Sequence, residues 1–145
     1  MSEYTLTLDK DLIGPWICHR INKVWGPEGR ECMGVLNSEG KLVAAGMFED
    51  YTGVCITGHI ACEGSGIALR TLLGAAYHYV FVTLDCEKFL GLVNSNNRKA
   101  LTLDLKMGFR PEAVIEGVFP GGDLVVLVMN RDECRWIAPE HRKVA

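Results

Sequence analysis

A glycine-rich turn, Glu63-Gly64-Ser65-Gly66-Ile67-Ala68, lies between a predicted strand and a predicted helix. The first N–H groups of a helix have no partner within it, and the helix dipole is positive at that end. Glycines at positions 64 and 66 let the backbone approach an anion closely. The pattern indicates an anion site, although the same residues also suit a tight turn without a ligand.

Two common phosphate-binding patterns do not fit this turn. No lysine follows its second glycine, as a G-x-x-x-x-G-K-[ST] loop requires, and Leu69 stands where a G-x-G-x-x-G fingerprint has its last glycine. The turn therefore needs the elements around it before its ligand can be named.

Hydrophobic periodicity and turn residues predict those elements. The order is a strand, a helix capped by Asp9 or Asp11, an antiparallel meander of three strands, the glycine turn, a helix, a short apolar strand, a helix and a hairpin. The predicted bounds are Tyr4–Leu8, a helix through Trp25, Cys32–Asn37, Lys41–Tyr51, Val54–Cys62, Ile67–Val80, Phe89–Val93, Asn97–Met107, Ala113–Phe119 and Leu124–Asn130.

The 145 residues suit one domain with one core. Residues 131–145 are charged and predicted to form a peripheral tail, in which Trp136 and Ile137 are candidates for docking. Gly58 lies inside a predicted strand, where glycine marks a bulge or a close backbone approach. The fold class is a mixture of α and β elements around a mostly antiparallel sheet.

A second motif follows the Phe89–Val93 strand, with Asn97-Arg98-Lys99-Ala100 and then Gly108-Phe109. Together with Ala61-Cys62-Glu63-Gly64-Ser65-Gly66 it resembles the GNAT superfamily of N-acyltransferases. That family has Q/R-x-x-G-x-G/A after its fourth strand and an N-x-x-A…G-F helix later on. The order of elements is similar from Tyr4 to Asn130. The resemblance implies an α+β fold whose central sheet splays between strands 4 and 5 and is flanked by helices.

The resemblance also implies acetyl-CoA as cosubstrate and transfer of its acetyl group to a primary amine of a small molecule or a protein. The pantetheine would add to the open edge of the fourth strand, and the pyrophosphate would rest on the glycine turn. Gly58 would open the wedge between the strands. The residues implied for the cofactor are Ile60, Ala61, Cys62, Gly64, Ser65, Gly66, Ile67, Ala68 and Asn97.

Direct transfer to an amine needs a base and a donor for the developing oxyanion. Candidate bases are Glu49, Asp50 and His59, each of which also suits an ordinary packed or solvated position. The backbone N–H of Ile60 or a neighbour is the expected oxyanion donor. Trp16, Trp25 and Tyr51 line an acceptor pocket or belong to the core.

The family commonly has a tyrosine four residues before the glycine of G-F, where it protonates the leaving thiolate. This sequence has Asp104 there. Three interpretations stay open: Asp104 is protonated in a dry pocket, it faces solvent or substrate, or no acid is needed because the CoA thiol is already a tolerable leaving group. We favour the last.

Two other functions compete with the transferase. A non-catalytic CoA-binding or protein-interaction module is favoured by the missing tyrosine. A thiol-dependent hydrolase would pair Cys62 with His59, but residues three apart on a strand point to opposite faces.

The composition of the chain argues against two classes of protein, those that bind nucleic acid and those that span a membrane. A net charge of −3 without a lysine or arginine run argues against nucleic-acid binding. No apolar stretch reaches the roughly 18 residues of a membrane span. The N-terminus lacks the features of a signal peptide, so the expected location is cytoplasmic.

The six cysteines form no C-x-x-C pair and are predicted to be reduced core residues. The closing hairpin, with its apolar edge, is a candidate homodimer edge.

Overall fold

The computed structural model of the protein describes residues 3–143. Within them the chain forms seven strands and three α-helices. In chain order these are β1 (Thr5–Thr7), α1 (Lys10–Ile21), β2 (Arg30–Leu36), β3 (Leu42–Glu49), β4 (Cys55–Cys62), α2 (Gly66–His78), β5 (Lys88–Asn94), α3 (Arg98–Met107), β6 (Arg110–Phe119) and β7 (Gly122–Asn130). A π-helical turn, Tyr79–Thr83, extends α2, and no helix in this part of the chain is long and apolar enough to span a membrane.

All seven strands belong to one sheet in the order β1-β2-β3-β4-β5-β7-β6. Every neighbouring pair is antiparallel except β4 and β5, which are parallel. The parallel pairing covers only Cys55–Thr57 of β4, and the strands separate after Thr57. The predicted fold class is confirmed, including the splay between strands 4 and 5.

Gly58 lies where the two strands separate. The β3–β4 register runs without interruption from Ala44↔Cys62 to Glu49↔Thr57, so the predicted bulge is wrong. The close approach is correct, because a Cβ at position 58 would lie 2.3 Å from Cε1 of Phe89. The buried Phe89 ring therefore packs directly on the backbone of β4 at the start of the wedge.

The sheet separates two apolar cores. On one face α1 packs Ile13 and Ile17 against β2 and β3. On the other face α2 and the strands enclose an aromatic cluster in which Tyr77 and Phe81 both make edge contacts with Phe89. All six cysteines are free, and four of them are buried.

Part of the segment predicted to be peripheral packs against the second core. Cys134 and Ile137 are buried, and Trp136 stacks on Tyr77 while its Nε1 donates to the carbonyl of Met107 at 2.7 Å. Trp136 and Ile137, the two candidates for docking, thus do dock, and the prediction of a peripheral tail is wrong for Cys134.

Helix α1 ends at Ile21, four residues before the predicted end at Trp25. Asn22 adopts a left-handed conformation with φ of 58° and caps the helix, as asparagine tolerates better than most residues. The next residues form a loop, 22–29, held by Arg30, whose Nη1 donates to the Val24 carbonyl at 2.8 Å, and by Lys10, whose Nζ donates to that of Pro27 at 3.1 Å. This loop covers one end of the wedge.

The contact between Gly58 and Phe89 predicts the effect of a side chain at position 58. Valine favours strands, yet Gly58→Val should destabilise the protein by about 2 kcal/mol because its side chain overlaps a buried ring. The measurement is urea unfolding. Gly74→Ala is the control, since no atom lies within 4 Å of a Cβ at that exposed helical position. A Gly58→Val protein as stable as the original would contradict the packing described here.

Candidate active site

A cleft of about 560 Å³ opens where β4 and β5 separate. Its walls come from β4, β5, α3, the end of α1 and the tip of the β6–β7 hairpin. Among its lining residues are His59, Ile60, Asn97, Asp104 and Phe119. The fold thus brings four of the predicted site residues to one cavity.

The edge of β4 that faces β5 has no strand partner beyond Thr57. Ile60, Ala61 and Cys62 lie on this stretch, while their other edge pairs with β3. Ile60 and Cys62 pack toward the α2 core, and Ala61 packs toward α1. An extended ligand can therefore add to this edge as an extra strand would.

The glycine turn leads into α2 as predicted, and Ser65 caps the helix. Its Oγ accepts from the Ala68 N–H at 3.2 Å and lies 2.8 Å from the Tyr4 hydroxyl. The N–H of Gly64 donates to the Val43 carbonyl at 3.1 Å. Gly64 also packs tightly, since a Cβ there would lie 3.1 Å from Val43 Cβ.

Three backbone donors of the turn stay available for an anion. Within residues 3–143, the N–H groups of Ser65, Gly66 and Ile67 have no hydrogen-bond acceptor. Gly66 is exposed, and a Cβ on it would meet no atom within 4 Å. The prediction that Ala68 also offers its N–H to a ligand is wrong, because the Ser65 side chain occupies that donor.

Basic side chains surround the start of this turn. Arg20 forms two hydrogen bonds to the Glu63 carboxylate, at 2.7 and 3.0 Å, and stacks on Trp16. The hydrogen bonds from Arg20 lower the pKa of Glu63, and the charges of Lys41 and Lys99 add to that effect. Near the N-terminus of α2 there are thus three cations, Arg20, Lys41 and Lys99, and one carboxylate, Glu63. This excess of positive charge creates a field that favours an anionic ligand.

Asn97 caps α3 at the other wall of the cleft. Its Oδ1 accepts from the Ala100 N–H at 3.2 Å, and Gly108 ends the helix in a left-handed conformation with φ of 110°. The predicted end of this helix at Met107 agrees with the structure, whereas Asn97 is the N-cap and not, as predicted, the first helical residue. The side-chain amide nitrogen of Asn97 has no acceptor in the described part of the chain, so it can donate to a ligand.

His59 and Glu49, predicted as separate candidate bases, form one pair. The Nε2 of His59 lies 2.5 Å from Oε2 of Glu49. Arg30 Nε donates to the other Glu49 oxygen at 3.2 Å, and Lys23 Nζ lies 3.7 Å from Oε2. Asp50 is exposed and takes no part in this cluster.

The cluster fixes the protonation of both members. Burial lowers the pKa of His59 despite the opposing effect of Glu49, so the imidazole is neutral at pH 7. Burial pushes the pKa of Glu49 upward, but the interaction with His59, the charge of Lys23 and the hydrogen bond from Arg30 outweigh it, so the carboxyl pKa lies below its usual value. An ionised carboxylate only accepts hydrogen bonds, so Nε2 of His59 carries the proton and Nδ1 has the free lone pair.

Asp104 lies across the cleft, on the face of α3 that meets β5. Its Oδ2 is close to Gly91, at 3.7 Å from the position a Cβ would take there. Within residues 3–143 its carboxyl group has neither a hydrogen-bond partner nor an ion pair. Burial raises its pKa to about 7. With a pKa of about 7, part of Asp104 is protonated at neutral pH, as the first of the three interpretations from the sequence requires.

The remaining candidates lie apart from this constellation. Cys62 and His59 are on opposite faces of the sheet, which excludes the hydrolase pair. Tyr51 is outside the cleft, with its hydroxyl 3.4 Å from the Leu84 carbonyl, and Trp16 lies beneath Arg20. Trp25 lines a shallow depression that Glu49 also borders.

Sequence reasoning missed three basic residues around the site: Arg20, Lys23 and Arg30. They come from the end of α1, the following loop and β2, and no local motif marks them. Of the three, only Lys23 lies in the stretch 22–25 that the sequence predicts as helix and the structure shows as loop.

No protein-family model and no curated protein matches the sequence. Several solved structures match the protein in fold. A point mutant of spermidine N-acetyltransferase SpeG from Vibrio cholerae superposes with a TM-score of 0.74 over 97% of this chain and 99% of that chain, at 18% identity. The chain has the GNAT fold. A dodecameric structure of the same Vibrio cholerae enzyme in an intermediate state gives a TM-score of 0.71 over 90% of this chain and 95% of that chain, also at 18% identity.

A further structure, of this enzyme in complex with manganese ions, gives a TM-score of 0.70 at 18% identity, over 88% of this chain and 92% of that chain. The GNAT fold was the expectation from the two sequence motifs, and the comparison confirms it over nearly the whole chain. At these identities the likeness establishes the fold, and activity has to be argued from the site.

The raised pKa of Asp104 has a consequence for stability. A carboxyl group whose pKa is about 7 in the folded state and near 3.8 when unfolded stabilises the fold at low pH. That contribution is lost progressively as the pH rises to about 7. Asp104→Asn removes it, so the stability of the variant relative to the original should rise by about 2 to 3 kcal/mol between pH 5 and pH 8. Urea unfolding at both pH values measures this, and a difference that stays constant with pH would contradict it.

Proposed function

We propose that the protein is an acetyl-CoA-dependent N-acetyltransferase that moves an acetyl group from the thioester to a primary amine by direct attack. The observation that carries this proposal is the cleft between β4 and β5. An anion-suited turn follows directly after the open stretch of β4, and the His59–Glu49 pair lies beside that open strand edge. Further support comes from the solved structures of similar fold, which are spermidine N-acetyltransferases.

The cofactor would bind along elements that each supply one type of contact. The open edge at Ile60, Ala61 and Cys62 would hold the pantetheine amides. Ser65, Gly66 and Ile67 would donate their free N–H groups to the pyrophosphate, and the Asn97 amide would face the ligand from α3. Gly64 and Ala68 would shape the turn: Gly64 packs on β3, and the Ala68 N–H fixes the Ser65 cap.

The reaction would divide among four groups. Nδ1 of His59 would accept the proton of the attacking amine, and Glu49 would hold the ring through Nε2–H, which makes Glu49 a positioning residue rather than a base. The Ile60 N–H is the proposed donor to the oxyanion. As the new N–C bond forms and the C–S bond breaks, Asp104 would donate its proton to the leaving sulfur. The base and the acid thus come from opposite walls of the cleft.

The exposed edge of the sheet supports self-association. Strand β6 is exposed from Arg110 to Val118, including Val114 and Ile115. We propose that a second copy covers this apolar edge strand, in a homodimer or a larger homo-oligomer.

Thiol release is the test of the proposed reaction. Acetyl-CoA is titrated into the protein first, and release of free CoA is then followed with a panel of primary amines. Binding followed by acceptor-dependent release supports the transferase. Binding without release with every amine would instead favour a non-catalytic CoA-binding module, and absence of binding would remove the proposed role of the glycine turn.

Gly66→Asp should abolish acetyl-CoA binding, because it places bulk and negative charge where the pyrophosphate would lie. Isothermal titration calorimetry measures the loss. Gly74→Asp is the matched control, since it makes the same change at an exposed position of the same helix, away from its N-terminus. Equal binding by the two variants would count against the anion site.

His59→Ala should lower kcat at least tenfold at pH 7, because the amine loses its base. This loss of kcat should be smaller at high pH, because more of the amine is then already deprotonated in solution. Steady-state rates of thiol release across the pH range measure both effects. His19→Ala is the control at an exposed histidine of α1. An unchanged rate in His59→Ala would remove this residue from the mechanism.

A further inference from the structure

The charged side chains that line the cleft do not suit a polycationic acceptor, which needs carboxylates. Within residues 3–143, the ionisable side chains that line the cleft are Arg20, Lys23, His59 and Asp104. Two are cations, His59 is neutral at pH 7, and burial keeps a large part of Asp104 protonated near neutral pH. Glu28 borders the adjoining shallow depression instead of the cleft.

The carboxylate nearest to His59 is already fully engaged. Glu49 accepts from His59 and Arg30 and forms an ion pair with Lys23. An acceptor such as spermidine would bring further positive charges to this point, and each would compete with three existing partners of one carboxylate. Recruiting Glu49 to a cationic acceptor would also release the His59 ring that the reaction requires.

Lys23 differs from the other cations around His59. Arg20 is engaged by two hydrogen bonds to Glu63 and one to the Trp16 carbonyl. Arg30 is engaged by Glu49 and by carbonyls of loop 22–29. The Lys23 side chain is 39% exposed. Its ammonium has only the 3.7 Å ion pair with Glu49 and donates no hydrogen bond in the described part of the chain.

Lys23 and His59 are also close neighbours. Both approach the same oxygen, Oε2 of Glu49, with Nζ at 3.7 Å and Nε2 at 2.5 Å. These two distances place the ammonium no more than 6.2 Å from Nε2, and Nδ1 is on the same small ring. We infer that a small molecule can present an amine to Nδ1 and reach the ammonium with an anionic group. Charge-assisted hydrogen bonds from a lysine to a carboxylate would fix that molecule in one orientation.

Resting on the acetyltransferase function proposed above, we propose that the acceptor is a small primary amine that carries a carboxylate next to the amine, as an amino acid does, and that Lys23 binds this carboxylate. Lys23 is then the residue that selects the acceptor, and the site discriminates against polyamines. The substrate class differs from the one named for the solved structures of similar fold.

The test compares matched acceptors at saturating acetyl-CoA and pH 7.5. Glycine, leucine and phenylalanine are each assayed for thiol release beside the corresponding amino amide, and spermidine is included. At least one amino acid should exceed both its own amide and spermidine by about tenfold or more in kcat/KM. The amides have the more acidic ammonium groups and thus the larger free-amine fraction, so this comparison is biased against the inference.

Substitutions at Lys23 separate recognition from a general loss of activity. Lys23→Gln should raise KM for the amino acid about tenfold more than KM for the amide, because the lost ion pair with Glu49 acts on both acceptors and the lost carboxylate contact on the amino acid alone. Lys23→Arg keeps the charge and should retain most of the preference. Lys88→Gln, at an exposed lysine outside the cleft, is the control.

The outcomes distinguish this inference from the function it rests on. Turnover of spermidine or of the amides at rates equal to or above those of every amino acid would overturn the inference and leave the acetyltransferase standing. An equal effect of Lys23→Gln on the KM values of the amino acid and of its amide would also overturn the inference. Thiol release with none of the acceptors, despite acetyl-CoA binding, would overturn both.

Discussion

The packing of the Phe89 ring on the backbone of Gly58 is the contact around which the site is organised. Because position 58 has no side chain, the buried ring reaches the strand itself, and pairing between β4 and β5 stops at Thr57. The rest of β4 then has an open edge inside the protein, where an unpaired strand edge normally carries a cost. The cleft opens where this parallel pairing ends, and the free backbone groups of β4 border it, opposite α3.

The wedge places ionisable groups in two different environments. On the α1 face, His59 is buried beside a carboxylate that two cations keep ionised, which leaves a neutral imidazole with one defined free lone pair. On the α3 face, Asp104 is surrounded by apolar wall and has its pKa raised by burial alone. Burial moves the pKa values of these two groups in opposite directions, because it disfavours the cationic form of the imidazole and the anionic form of the carboxyl group. A neutral base and a partly protonated acid in one cavity are the pattern expected of a proton-transfer site.

Loop 22–29 connects the fold to acceptor choice. Its shape depends on long-range hydrogen bonds from Arg30 and Lys10 to loop carbonyls, and the same Arg30 also holds Glu49. The loop thus controls both the orientation of the His59 ring and the position of the Lys23 ammonium. Proteins with this fold can change acceptors by altering such a loop without disturbing the cofactor cleft, since function resides in sites carried by a common scaffold.

The sequence by itself determined the local features: the glycine turn before α2, the end of α3 at Gly108, the order of helices and strands along the chain and the presence of an acid at position 104. These depend on neighbouring residues, so motifs and periodicity encode them. Tertiary structure alone decided the end of α1 at Asn22, the Asn97 cap, the burial of Cys134, the occupied N–H of Ala68 and the pairing of His59 with Glu49. It also decided that burial raises the pKa of Asp104 and that Lys23 lies beside the His59–Glu49 pair. Those properties depend on distances between residues far apart in the chain and on exclusion of water, and no local pattern specifies either.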